Sequence, residues 1–270
     1  MRKYKLFYKA LPVAVIFFAL KVVVHYFGYE CIPSNLMTML PTILTSIVFV
    51  LGFLLAGVIA DYKESEKIPN ELSASFFAIW QEVYLHYQTK PSERLREFLV
   101  EMPKEIRTLV MEFFIKHDKN ALKVLDKWVM DIHKFDGNEM ATVYANRLKT
   151  ELISIRKMFN RITVVKKTDF LPSVFTTIRI IVCIFIGVFL FLDVTPWWGG
   201  AILPALFAFM IFIILYVIQD IEDPFEYLNE DLKGKGDEVD MGILTDTIRN
   251  IEEQSRSIGK SCGIQSVLMN

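Results

Sequence analysis

Four long apolar windows constrain this chain more than any other feature of its sequence. They run approximately over residues 11–29, 42–60, 175–192 and 199–219. A helix needs about 20 predominantly apolar residues to cross the hydrocarbon core of a bilayer. With 53% hydrophobic residues and a mean hydropathy of +0.36, the chain is also more apolar than an ordinary soluble domain. The sequence therefore predicts an integral, multi-pass membrane protein with four transmembrane helices.

The first window has an alternative interpretation as a secretory signal, because basic residues precede it. Two features count against that interpretation. Lys21 interrupts the apolar run, and no small-x-small cleavage site follows it cleanly. We therefore predict a membrane span here.

The distribution of cations predicts the orientation of the chain. Arg2, Lys3, Lys5 and Lys9 precede the first window, whereas the loops over 25–41 and 193–200 contain no Lys or Arg. Because Lys and Arg near membrane spans are retained on the cytoplasmic side, both loops should face outward and both termini should be cytoplasmic. The predicted organisation is a basic segment with two spans (1–60), a cytoplasmic helical region (61–170), two further spans (171–220) and a cytoplasmic carboxy-terminal segment (221–270).

The region between the second and third windows has the pattern of amphipathic helices. Apolar residues recur at spacings of three and four, and one long amphipathic pattern covers residues 140–162. Helix breaks are predicted at Lys90–Pro91, at Met102–Pro103 and at 135–138. No segment shows the alternation of a strand. The predicted fold class is all-α, with a helical cytoplasmic bundle continuous with the membrane helices.

The sequence contains no recognisable catalytic or nucleic-acid-binding motif. Its four histidines are scattered, and it lacks H-E-x-x-H, a Walker loop, G-x-S-x-G and a dinucleotide fingerprint. The formal net charge is −1, and no basic patch interleaved with aromatic residues occurs. We therefore expect neither an enzyme nor a partner of nucleic acid.

The second window carries two stripes of residues at helical spacing. Thr45, Phe49 and Phe53 lie at i, i+4 and i+8 and share one face, and a stripe of small residues lies beside them: Gly52, Ala56 and Ala60. Spacing alone favours phenylalanines that contact lipid or a neighbouring helix. The alternative is a ring of copies in which the small stripes pack together and the phenylalanines form a hydrophobic constriction, as in some channel gates.

Several segments resemble the bestrophin family. Residues 49–53, followed by a charged helix ending at 68–72, are similar to the second transmembrane helix of these proteins. Asp223, Pro224 and Phe225 resemble the N-P-F element of the family, with Asp in place of Asn. Residues 244–251 are similar to the helix that follows this element in prokaryotic members, and residues 4–8 to the segment before the first span.

This resemblance implies a homopentamer of four-span subunits in a lipid bilayer, around one pore that passes mainly anions such as chloride. The neck of the pore would be lined by rings of Thr45, Phe49 and Phe53, with Thr45 in place of the usual isoleucine. Gly52, Ala56 and Ala60 would pack copy against copy. The alternative from another class of protein is a non-conducting oligomeric membrane scaffold or sensor whose phenylalanines fill a closed core.

The resemblance also raises the question of calcium, which animal bestrophins bind around the N-P-F element. Asp220, Asp223 and Asp231 match acidic positions of that site, but Leu228 occupies another. A hard cation such as calcium prefers oxygen ligands, which leucine cannot supply. We therefore predict no cofactor and no effect of calcium.

Two cations lie inside predicted spans. Arg179 is near enough to the cytoplasmic end of the third window to extend its charge to the interface. Lys21 lies near the middle of the first window, and an ionisable residue at such depth usually faces protein or water. The sequence does not identify its partner.

Overall fold

A computed structural model describes residues 5–32, 39–167, 172–222, 224, 225, 227, 232, 234 and 238–268. These residues form a short 3-10 helix, Lys119–Leu122, and nine α-helices: α1 Lys5–Tyr26, α2 Leu40–Ser65, α3 Ile68–Thr89, α4 Glu93–Phe114, α5 Lys123–Phe135, α6 Thr142–Lys167, α7 Pro172–Leu190, α8 Trp197–Glu222 and α9 Gly242–Leu268. No β-strand occurs within these residues. The predicted all-α fold class is confirmed.

The chain divides into two compact units. Unit 1 comprises Met1–Lys63, Thr168–Pro224 and Lys235–Asp237, and unit 2 comprises Glu64–Lys167, Phe225–Gly234 and Glu238–Asn270. Unit 1 therefore contains α1, α7, α8 and nearly all of α2. Unit 2 contains α3 to α6 and α9.

The apolar windows of the sequence fall on helices of unit 1. Three helical stretches are long and apolar enough to cross a membrane: Leu6–Tyr26, the stretch that begins at Pro41, and Trp197–Glu222. The remaining window lies in α7, whose apolar part is described over Thr176–Leu190. These helices identify an integral membrane protein.

The core of unit 1 joins α2, α7 and α8 with one aromatic ring of α1. Residues on α2 and α7 that are spaced by three or four contribute their buried faces, among them Leu51 and Val182, both fully buried. Phe185 and Phe189 lie edge to face, with ring centroids 4.8 Å apart. Small residues of α8, such as Ala208, allow the neighbouring helices to approach.

The core of unit 2 is a helical bundle centred on two buried tryptophans. Trp128 of α5 contacts Phe76 of α3 and Phe98 of α4 edge to face, each with ring centroids 6.0 Å apart. Its indole N–H donates a hydrogen bond of 2.6 Å to Glu105, so burial leaves no unpaired donor. The second tryptophan, Trp80, is 1% exposed.

The predicted break at Met102–Pro103 is wrong, because Pro103 lies inside α4. Proline has no N–H, so the carbonyl oxygen of Leu99 loses its helical donor. The hydroxyl of Ser255 in α9 donates to that oxygen at 2.8 Å, and the indole N–H of Trp80 donates to the Ser255 oxygen at 3.0 Å. A side chain far along the sequence therefore replaces the missing bond and lets the helix continue.

The other predicted breaks agree better with the helix boundaries. Lys90–Pro91 separates α3 from α4, and α5 ends at Phe135 before the turn that precedes α6. The charged continuation of α2, however, ends at Ser65 rather than at 68–72. A two-residue turn follows, and Pro69 lies in the first turn of α3, where its missing N–H costs nothing.

Candidate functional site on the second helix

One face of α2 is built into the core of unit 1. Its buried residues follow the spacing i, i+4, i+7 and i+11: Ile47, Leu51, Leu54 and Val58. They are between 0% and 7% exposed. Because this spacing keeps residues on one side of a helix, these four side chains form the stripe by which α2 packs within its own subunit.

The two phenylalanines of α2 lie on the opposite face. Each residue turns a helix by about 100°, so Phe49 is about 200° around the axis from Ile47 and Phe53 about 200° from Leu51. Phe49 and Phe53 are 74% and 75% exposed. Two large aromatic rings are therefore left uncovered by the subunit, although aliphatic side chains of the same helix are fully buried.

The small residues lie on this exposed side as well. Gly52, Ala56 and Ala60 are all exposed. A Cβ atom at Gly52 would meet no atom within 4 Å. Packing within the subunit therefore does not require a glycine, although glycine in a helix interior costs about 1 kcal/mol relative to alanine.

Thr45 lies one helical turn before Phe49 on the same exposed face. Its hydroxyl donates a hydrogen bond of 2.7 Å to the carbonyl oxygen of Pro41. The donor is thus used within the helix, and the hydroxyl oxygen remains as an acceptor. At this position the exposed face changes from aromatic to weakly polar.

The carboxyl end of α2 belongs to unit 2 and carries an exposed ion pair. Glu64 accepts a hydrogen bond of 2.9 Å from the guanidinium group of Arg161 in α6. Ser65, the last residue of the helix, is 2% exposed. The helix therefore passes from an apolar to a charged environment without interruption, as the sequence predicts up to this residue.

The structure identifies the partners of Lys21, which sequence analysis missed. Lys21 is 2% exposed, and its Nζ lies 2.7 Å from Oε1 of Glu30. The ammonium also donates to the carbonyl oxygens of Leu190 at 3.1 Å and Leu192 at 2.5 Å, at the carboxyl end of α7. Helix carboxyl ends lack internal donors and favour a positive charge. Glu30 is the one acidic residue between the first two windows, and that was the available signal.

The carboxylate of Glu30 contacts two basic side chains, Lys21 and His25. Its Oε2 lies 3.0 Å from Nδ1 of His25, and its other oxygen accepts from Lys21. Burial raises the pKa of Glu30, but hydrogen bonds and charge from Lys21 and His25 outweigh burial and leave this pKa below its usual value. Glu30 is thus an ionised bridge between α1 and the loop that follows it.

Backbone hydrogen bonds bring the two cation-free loops together. The backbone N–H of Ile32 donates to the carbonyl oxygen of Phe191, and the N–H of Asp193 donates to the carbonyl oxygen of Ile32; both distances are 3.0 Å. Exposed aromatic residues surround this end of unit 1: Tyr26, Phe27, Tyr29, Trp197 and Trp198. Such rings are typical of the membrane–water interface.

Arg179, the second cation inside a predicted span, is exposed on α7. It lies two turns after the amino end of that helix, which begins at Pro172. Exposure on the helix surface is compatible with a side chain that extends its charge toward the interface. That role stays a prediction.

Two of the three acidic positions that match the calcium site of animal bestrophins lie outside the described residues. Asp223 and Asp231 belong to the undescribed part, and Asp220 is half-buried in the last turn of α8. Among the residues that the structure describes, no three His, Cys, Asp or Glu side chains come together as a metal site.

The Asp-Pro-Phe element has a packing role within the described part. Pro224 is buried, and Phe225 is fully buried with its ring centroid 6.3 Å from that of Phe114. Tyr227 packs edge to face on Phe114 and donates its hydroxyl to the carbonyl oxygen of Val239 at 2.7 Å. The segment after α8 is therefore anchored in the core of unit 2.

The fold and the described site define an all-α integral membrane protein. Its helix α2 is apolar on both sides, one buried in the subunit and the other exposed. Comparison with solved structures identifies proteins of similar fold. A substituted form of a bacterial bestrophin homologue from Klebsiella pneumoniae is similar with a TM-score of 0.72 and 10% identity, over 92% of this chain and 97% of that one. A crystal structure of a bestrophin homologue from the same organism, phased with zinc, gives 0.70 and 11%, over 93% and 98%.

A crystal structure described as a membrane protein gives a TM-score of 0.69 at 11% identity, over 94% of this chain and 98% of that one. No family profile matches the sequence, and no curated protein matches it. The chain therefore has the fold of bacterial bestrophin homologues, and the resemblance found in the sequence is confirmed at the level of the fold.

Proposed function

We propose that this protein is a bestrophin-like ion channel, a passive pore that conducts chiefly anions such as chloride. Five copies would surround one axis with α2 innermost. The channel would have four spans per subunit, outward-facing loops after α1 and α7, and both termini in the cytoplasm. The similarity to bestrophin homologues and the positive amino terminus support this arrangement.

One observation carries the proposal: α2 exposes its largest rings and its smallest residues together. Contact with lipid alone would not require a stripe of small residues on this face. Here Phe49 and Phe53 alternate with Gly52 and Ala56 on one side, and the subunit covers none of them well. Small residues permit close approach of a neighbouring helix, so copies of α2 can stand side by side.

The phenylalanines would then act as a hydrophobic gate. Rings of Phe49 and Phe53 offer an ion no oxygen or N–H to replace its hydration shell. A narrow apolar constriction of this kind resists conduction by losing its water. Thr45 would form a wider ring beside them, because its side chain is smaller than that of phenylalanine. This ring would also be more polar, because the hydroxyl oxygen of Thr45 can accept a hydrogen bond.

Ion flux tests the proposal directly. Purified protein in liposomes should release a trapped chloride load down its gradient, and chloride should pass faster than sodium or potassium. Absence of flux from correctly assembled protein would favour the non-conducting scaffold or sensor. Flux that is faster for cations would retain the pore and overturn its anion preference.

Assembly is tested at the small-residue stripe. Replacing Gly52 by leucine meets no obstacle within a subunit, because no atom lies within 4 Å of its Cβ position. We expect Gly52→Leu to keep each subunit folded and to break the pentamer on size-exclusion chromatography with light scattering. Gly187→Leu in α7 is the matched control, since this position is equally open. A wild-type protein that stays monomeric or dimeric across mild detergents would contradict the pore.

A further inference from the structure

Helices α4 and α9 of unit 2 line a cavity of about 420 Å³. Small-molecule sites in proteins have volumes of about 300–1,000 Å³. The lining includes three cations, one carboxylate and two apolar residues: Lys104, Arg107, Arg256, Glu252, Val100 and Pro103. Three positive charges and one negative charge give these residues a net formal charge of +2. The cavity therefore favours a small ligand with negative charge.

We propose that this cavity binds a phosphate monoester, a small organic molecule that carries one phosphate group. Such a group has a charge of about −1.5 to −2 at pH 7, which matches the charge of the lining. Both helices belong to regions that the distribution of cations predicts to be cytoplasmic. The proposal concerns contacts within unit 2 and does not depend on conduction or on the number of subunits.

Arg107 is held at the cavity by Glu252 of the facing helix. Its Nε donates to Oε1 of the carboxylate over 2.7 Å, and its Nη2 donates to Oε2 over 2.9 Å. A guanidinium group has five N–H donors, and these two bonds leave the donors of Nη1 unused by Glu252. The guanidinium group is therefore oriented before a ligand arrives and still has donors for it.

The other two cations of the cavity, Lys104 and Arg256, are exposed. Neither forms an ion pair with another residue that the structure describes. A guanidinium group can donate two parallel hydrogen bonds to phosphate, and an ammonium group binds phosphate as a point charge. Together with Nη1 of Arg107, these groups can supply charge-assisted hydrogen bonds to the phosphate oxygens.

The acidic residues of α4 lie toward a different helix. Glu97, Glu101 and Glu105 line a second cavity, together with Lys127 of α5. Nζ of Lys127 lies 3.0 Å from Oε2 of Glu101 and 2.5 Å from Oε1 of Glu105. These carboxylates are thus compensated on the side of α5, and the side of α4 that faces α9 keeps its positive charge.

The buried part of the cavity suits the organic part of the ligand. Pro103 is buried and Val100 is half-buried, whereas the three cations are exposed. The hydroxyl of Ser255, which also lines the cavity, donates its hydrogen to the carbonyl oxygen of Leu99 at 2.8 Å. Ser255 therefore offers a ligand no hydroxyl hydrogen. A phosphate group at the exposed cations and an apolar group on Val100 and Pro103 would match both parts of the cavity.

Isothermal titration calorimetry tests the proposal on the purified protein in detergent, in a phosphate-free buffer of low ionic strength. Phenyl phosphate should bind saturably and more tightly than inorganic phosphate, which has no ring to contact Val100 and Pro103. Phenol, the same ring without the phosphate, should not bind measurably. Equal affinity for inorganic phosphate would overturn the assignment of a monoester, and equal affinity for phenol would overturn the anion site.

Removing single cations identifies the groups that hold the phosphate. Lys104→Gln and Arg256→Gln should each weaken the binding of phenyl phosphate by roughly tenfold, since each removes hydrogen bonds from a charged donor. Arg256→Glu should abolish binding, because it lowers the net charge of the lining from +2 to zero. The matched control is Lys157→Gln, which should keep the affinity, because Lys157 is an exposed cation on α6 outside the cavity.

Thermal unfolding without ligand checks that the variants are folded. All substituted side chains are exposed, so the melting temperature of each variant should stay close to that of the wild type. Phenyl phosphate should raise the melting temperature of the wild type and of Lys157→Gln more than that of Lys104→Gln or Arg256→Gln. No binding of phenyl phosphate to the wild type, or wild-type affinity in folded Lys104→Gln and Arg256→Gln proteins, would overturn the proposal.

Discussion

Truncating both rings of the exposed face separates a pore gate from ordinary packing. We expect Phe49→Ala combined with Phe53→Ala to increase chloride flux several-fold, because alanine removes the bulk that closes the apolar neck. The same double variant should assemble as the wild type does and lose far less stability than the truncation of two buried rings would cost. These two expectations together define the gate, since a packing role predicts the reverse for each.

The size of the stability effect follows from burial. Replacing a fully buried phenylalanine by alanine costs about 3–5 kcal/mol. Phe49 and Phe53 are 74% and 75% exposed, so the subunit covers only about a quarter of each ring. The expected cost within a subunit is therefore about 1 kcal/mol per substitution.

Two leucines of the same helix provide the matched control. Leu51 and Leu54 are 0% and 4% exposed on the opposite face of α2. Leu51→Ala and Leu54→Ala should each cost about 2–5 kcal/mol through the cavity they leave. Thermal unfolding in detergent and chloride release from liposomes measure both pairs. Unchanged flux with a large loss of stability in the phenylalanine variant would refute the gate.

Three further predictions concern charge, a buried hydroxyl and calcium. The pKa of Glu30 is lower in the folded protein than in the unfolded one. Its ionised carboxylate therefore stabilises the fold at pH values above its unfolded-state pKa, and this stabilisation is lost as the pH falls through its folded-state pKa. Protonated Glu30 would leave the ammonium of Lys21 buried without a charged partner. Thermal unfolding between neutral and acid pH should show this loss, and Glu30→Gln should remove the dependence. Ser255→Ala should destabilise the protein by about 1–3 kcal/mol in chemical denaturation, because the oxygen of Leu99 loses its donor; a neutral effect would contradict the role of this bond. Chelating calcium should leave flux unchanged, whereas a micromolar calcium dependence lost in Asp231→Ala would show that a calcium site exists.

Hydropathy predicted the apolar helices because crossing a bilayer is a local property of about 20 consecutive residues. The stretch that begins at Pro41 and the helix Trp197–Glu222 fall where the windows lie. The sequence also predicted that Phe49 and Phe53 share one face of α2, because helical spacing alone places them on one side. Spacing could not tell which side the subunit would bury, since both sides of this helix are apolar.

Proline shows the limit of local rules. Pro91 and Pro103 look alike in sequence, yet one separates two helices and the other lies inside α4. At Pro103 a hydroxyl more than 150 residues away compensates for the missing bond, since Ser255 donates to the carbonyl that Pro103 leaves without its helical donor. The local sequence contains no information about this distant donor.

The sequence by itself determined the helical class, the apolar helices and the two-sided pattern of α2, because each depends on residue type and on spacing along one helix. Only the tertiary structure decided which face of α2 is buried and how Lys21 is satisfied. Lys21 meets Glu30 nine residues later and the carbonyl oxygens of Leu190 and Leu192 some 170 residues later. A buried charge needs several partners at once, and the fold is what brings residues from separate segments to the same ammonium group.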